Sequence, residues 1–116
     1  MSTFDAEIFA QAALADVKAV LDSTDEDSAD VRVELAQLQQ DIEATLAALE
    51  VERDERRARA LRQDLEQFLP ARKAAILSAA QSRFSSQIQS ALEDALSLAA
   101  RVAVVAAKAF VASGGL

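Results

Sequence analysis

Apolar residues recur along this chain at steps of three and four, and that spacing predicts helices throughout. The first runs from about residue 4 to 21. Projected at about 100° per residue, one face gathers Phe9, Ala10, Ala13, Leu14, Val17, Val20 and Leu21, and a second gathers Phe4, Ile8, Ala12, Ala15 and Ala19. Glu7, Gln11 and Lys18 separate the two on one side, Asp5 and Asp16 on the other. A helix lying on one surface carries one apolar stripe, so two stripes place this helix between two partners. Ser2 or Thr3 is positioned to cap it, with Asp5 and Glu7 in the first turn, where the helix dipole favours acids.

Residues 22–30, Asp-Ser-Thr-Asp-Glu-Asp-Ser-Ala-Asp, break the periodicity. Ser, Thr and Asp side chains compete for backbone hydrogen bonds and favour turns and caps, so this segment reads as a linker. Ser23 followed by Glu26 fits a capping box, and Asp27 or Ser28 can also open the next helix. The run lacks the glycine turn and alternating oxygen ligands of a calcium loop, so capping and solvation account for it better than a metal does.

A second helix is predicted over residues 31–69. Val31, Leu35, Leu38, Ile42, Leu46 and Leu49 form a coiled-coil-like seam. The next stretch, 50–59, is almost entirely charged, and the i,i+4 pairs Glu52–Arg56 and Glu55–Arg59 carry the helix onward. The seam resumes at Ala58, Leu61, Leu65 and Phe68 on a face rotated by about 120°. One helix leaving one partner and meeting another would produce that shift. Pro70, the sole proline, removes a backbone donor and predicts a kink or tight corner, with the ring in the first turn of a third helix over about 71–112.

The third helix has a wide apolar face: Leu77, Ala80, Phe84, Ile88, Ala91, Leu92, Ala95, Leu98, Ala99, Val102, Ala106 and Phe110. Arg83, Gln87, Ser90, Asp94, Ser97, Arg101 and Lys108 form the other face, and Ser113-Gly114-Gly115 is a plausible stop. From Val102 to Ala112 the pattern is apolar nearly all round, which predicts burial in an assembly or in lipid. The expected fold is a single all-α unit over 1–116. It is an elongated, coiled-coil-like bundle of three helices with a Pro-marked kink or corner between the second and third.

Composition sharpens this picture. Alanine fills 27 of 116 positions, so the 52% hydrophobic content overstates how much area a core can bury. A thin core makes association a natural remedy. The chain has no His and no Cys, which removes the commonest metal ligand, the thiol nucleophile and any disulfide. Glu93-Asp94 and Asp25-Glu26-Asp27 are sequence neighbours that diverge on a helix, and Ser85-Ser86 has no base beside it. No catalytic centre, cofactor site or metal site is predicted.

Charge is segregated within the net −7. Residues 1–50 carry 12 acids and 2 bases, and residues 51–116 carry 7 acids and 10 bases. That polarity suits one half of the chain meeting the other half of a neighbouring copy, and equally an ordinary solvated surface. Arg53, Arg56, Arg57, Arg59 and Arg62, extended by Arg72 and Lys73, form the most basic patch, but acids interleave it, so nucleic acid is not an expected partner. The Ala95–Ala112 stretch sits at the lower length limit for crossing a membrane and carries Arg101 and Lys108. A membrane-docking helix is therefore kept as the alternative, behind burial in a helical oligomer. The N-terminus shows neither the basic region nor the apolar run of a secretory signal, so synthesis in the cytoplasm is expected.

The reading is a non-enzymatic structural protein forming homo-oligomers, alone or with other assembly proteins, such as a subunit of a virion, phage tail or secretion machine. The residues expected at its interface are Leu35, Leu38, Ile42, Leu49, Phe84, Ile88, Leu92, Val102 and Phe110.

Overall fold

The computed structural model describes residues 4–114. They form five helices: α1 (Ala6–Ala13), α2 (Ala15–Asp22), α3 (Ala29–Val51), α4 (Glu55–Gln81) and α5 (Ser86–Gly114). No strand occurs among the described residues. The all-α class is as expected; three helices are not what is found.

The chain starts its first helix at Asp5, whose carboxylate accepts from the backbone N–H of Glu7 (2.9 Å) and Ile8 (3.2 Å). Asp5 is thus the cap rather than a first-turn residue; Ser2 and Thr3 lie outside the described residues. The helix expected over 4–21 is interrupted at Leu14, where ψ rises to 5°. The flanking bonds, Leu14 N–H to Ala10 O and Lys18 N–H to Leu14 O, keep the chain turning in the same sense, so α1 and α2 act as one bent rod. In the linker, Ser23 donates to the Val20 carbonyl and Asp27 accepts from Ala29 N–H, so Asp27 rather than a Ser23–Glu26 box supports the start of α3.

The corner expected at Pro70 is a correction. α4 continues without a break through that position, and the turns fall on either side of it, at residues 52–54 and 82–85. At the first turn Glu52 and Asp54 are extended, Glu52 accepts from Asp54 N–H (3.0 Å), and Asp54 caps α4 through Arg56 N–H (2.9 Å). The Glu52–Arg56 pair therefore does not form, whereas Arg59 and Glu55 pair at 2.6 Å inside α4. At the second turn Ser85 accepts from Ile88 N–H, and the Gln89 amide donates to the Phe84 carbonyl (2.8 Å). Pro70 is tolerated because its ring is on the exposed side of α4. Leu65, Leu69 and Ile76 hold the opposite side in the core, and Glu66, which loses its helical donor, lines an open groove.

The helices pack as an elongated bundle, 48 × 25 × 19 Å. α3 lies on α4 and α4 on α5, while α1 closes against α3 and α5 and α2 against α5. Polar ties fix the antiparallel register of neighbours. Arg72 reaches Asp41 (2.9 Å) and Glu34 (3.8 Å), Arg83 reaches Asp30 (3.2 Å), and Lys73 donates to Ser97 (2.9 Å). Inside run Leu14, Val17, Leu21, Leu35, Ile42, Leu46, Leu65, Ile76, Leu92 and Leu96, and no polar or charged residue is buried among the described residues.

Candidate functional site

The seam predicted along residues 31–49 is real, but it faces inward. Leu35, Leu38, Ile42 and Leu49 are buried within the single chain, as is Leu92, and Phe84 closes the α4–α5 turn from inside. Ile88 and Phe110 are half-buried against this core, with the Phe110 ring edge-on to Phe4 at 4.8 Å. Of the nine residues expected at an interface, Val102 alone is exposed.

Around it, exposed large apolar side chains lie together on one helix face. In the second half of α5 the inward face is alanine: Ala99, Ala103 and Ala107 are each at most 1% exposed. The outward face carries the larger side chains, Leu98 at 47%, Val102 at 37% and Val105 at 62% exposure. The helix is inverted in size, small side chains in and large ones out. Alanine lets α5 approach its neighbours closely, and the branched residues are left facing solvent. Leu98, Val102, Val105 and Ala109 follow steps of four, three and four, the spacing of a coiled-coil seam.

Between this stripe and α1 runs an apolar groove of about 330 Å³, lined by Phe9, Leu98, Val102, Val105, Ala106 and Ala109, with Arg101 at its edge. A second groove, about 400 Å³, lies on the other side of Arg101, between α4 and α5, and includes Leu69, Pro70, Lys73 and Val104. Leu98 belonged to the apolar face read from the sequence, but Phe9, Val105 and Ala109 were not singled out for association. The heptad-like spacing was the available signal, masked by an alanine-rich helix that looks apolar on every side.

The charged clusters resolve into local ties. In the acidic linker Asp22 pairs with Arg32 (2.7 Å), and Asp27 and Asp30 pair with Arg83. Among the described residues no group of acids converges to hold a metal ion. Arg72 and Lys73 serve helix packing, so they do not extend the arginine patch at the start of α4. In that patch Arg53, Arg56, Arg57 and Arg59 are exposed and partly neutralised by Asp54 and Glu55, while Arg62 is half-buried. No helix is long and apolar enough, among the described residues, to cross a membrane. Comparison with family models, curated proteins and solved structures finds no match to this chain.

Proposed function

We propose that this chain is a non-enzymatic structural protein that self-associates, a repeating subunit of a larger assembly, and that the outer stripe of α5 is its contact surface. The observation that carries this reading is the size inversion of α5. A chain acting alone gains by turning Leu98, Val102 and Val105 inward and the alanines outward. The arrangement is useful when a second surface covers the stripe. The core residues that looked like a seam, such as Leu92, are already consumed by the fold, so a charge there attacks the fold before any interface.

Light scattering coupled to size exclusion, over a range of concentrations, tests this. The wild type is expected above the single-chain mass of 12.4 kDa. Val105→Glu should return it to that mass with helicity unchanged. Covering the exposed 62% of Val105 is worth about 1–2 kcal/mol per copy, so its loss alone weakens a two-copy contact by roughly thirtyfold or more. Single-chain mass for the wild type at every concentration, or an unchanged assembly for Val105→Glu, overturns the proposal. Docking on an anionic lipid surface is a second reading, favoured by Arg101 and Lys108 beside the stripe, and cosedimentation with vesicles tests it.

A further inference from the structure

Arg101 stands between two apolar grooves. It borders the α1–α5 groove of about 330 Å³ on one side and the α4–α5 groove of about 400 Å³ on the other. The side chain is exposed, and among the described residues its guanidinium makes no ion pair and no side-chain hydrogen bond. The two grooves differ in the charges that line them. Glu66 lines the α4–α5 groove, and the Lys73 ammonium there is already held by Ser97 Oγ (2.9 Å) and Glu93 (3.9 Å). In the α1–α5 groove Arg101 is the one polar side chain among the described lining residues, and no acid lines it. Asp5 caps α1 and faces the cleft toward α3. Asp94, exposed on the same helix, precedes Arg101 by seven residues, about 10.5 Å of rise, which exceeds the ~8 Å screening length at physiological salt.

A groove of hydrocarbon with a single cation at its edge recognises a hydrocarbon chain that ends in one anionic group. We infer that the α1–α5 groove binds a medium-chain fatty carboxylate, with its head on Arg101 and its chain lying along Val102, Val105 and Ala109 against Phe9. This goes beyond the self-association proposed above and does not depend on it, because one chain supplies the whole groove.

The chemistry of the lining sets the class of ligand. The guanidinium offers a carboxylate two parallel donors, a geometry that an ammonium does not provide. From Arg101 to Ala109 is eight residues, about 12 Å of helix rise, so the chain is of medium length. Beyond Arg101 no lining side chain offers a partner to a hydroxyl or amide, so plain hydrocarbon is preferred to a functionalised acid. The groove volume lies at the lower end of the ~300–1,000 Å³ of ligand sites, which suits one chain rather than two. The α4–α5 groove is the poorer host for the same molecule, because the Glu66 carboxylate repels the head and Lys73 is already engaged.

Amide NMR titration of the full chain tests this, with octanoate as the charged probe and octanol as the uncharged one, both below the concentration at which they aggregate. Octanoate should give saturable shifts centred on Phe9 and residues 98–109, and should bind about fivefold tighter than octanol. Arg101→Gln should bring the two probes to within about twofold of each other while leaving octanol affinity unchanged. Val105→Glu should weaken both by about tenfold, and Glu66→Gln should leave octanoate affinity within about twofold of wild type. All three substitutions are at exposed positions, and an unchanged circular dichroism spectrum checks that each variant is folded. Absence of saturable octanoate shifts overturns the inference, whether or not the chain cosediments with anionic vesicles. So does equal binding of octanoate and octanol by the wild type, or a preference for octanoate that survives Arg101→Gln. Shifts that map to α4 and grow tighter in Glu66→Gln place the ligand in the other groove and overturn the assignment. Light scattering on the same samples reads self-association separately, so the failure of one reading is distinct from the failure of the other.

Discussion

Ala103 provides the sharpest test of the size inversion. It is fully buried on the inner face of α5, a helix that packs against α4, α2, α3 and α1. Ala103→Leu adds three carbons at that position. If alanine is there because the helices are in close contact, the larger side chain forces backbone shifts or strained rotamers, and the chain loses about 1–3 kcal/mol. If alanine instead borders a void, the same carbons gain burial at about 0.8 kcal/mol each, and stability rises by roughly 2.4 kcal/mol. The sign separates the two cases. For a domain of this size each kcal/mol moves the melting temperature by about 3–6 °C, so a fall of about 3–18 °C is expected. The assay is thermal and urea unfolding followed by circular dichroism. Ala60→Leu, exposed on α4, serves as a control expected within about 0.5 kcal/mol of wild type. A clear rise in stability for Ala103→Leu would refute the claim that close helix approach is what turns the large residues of α5 outward.

Two further outcomes concern α4, its internal proline and its cap. Pro70→Ala restores a donor for the Glu66 carbonyl within α4, so urea unfolding should show a gain of about 1–3 kcal/mol, whereas a loss would mean that the bundle requires proline there. Asp54→Ala removes the carboxylate that caps α4 at Arg56 N–H, and the urea midpoint should register a loss of about 0.5–2 kcal/mol; an unchanged midpoint would show that Glu52 suffices to hold the turn.

The helical class and the buried stripe of α3 were legible in the sequence because six large apolar residues from Val31 to Leu49 recur at steps of four and three. The turn that follows was present in the pattern but was misread. The 120° change of face after Leu49 marks two helices meeting at a turn, not one helix changing partners. The i,i+4 charge pairs concealed this, since acids and bases that stabilise a helix also suit a loop. Asp54 is a cap and Glu52 braces it, and neither carries a sign that distinguishes the two roles. Proline was the opposite case: a strong local signal overridden by packing, because both sides of Pro70 are anchored in the core. The turn at 82–85 contains no glycine or proline. Ser85 and Gln89 satisfy its loose backbone groups, and such side-chain closure depends on geometry that a residue list does not display. The same limit hid the exposed stripe of α5. Periodicity identifies apolar faces, but it does not say which of two faces on an alanine-rich helix is turned inward.

The energetics of α5 explain why that choice of face matters. Ala99, Ala103 and Ala107 offer little more than one methyl each, together about 2.4 kcal/mol of burial. The exposed fractions of Leu98, Val102 and Val105 represent about 2–4 kcal/mol per copy if covered. The outer stripe therefore offers a partner as much as the inner alanines give the isolated chain. The large side chains that anchor α5 in the core are Leu92 and Leu96 in its first half and Phe110, against Phe4, near its end. Covering the stripe would add its stabilisation between those anchors, where the buried side chains are alanines. On this argument association and the order of the last helix are one property: the residues that would bind a second copy also hold the middle of α5 in place.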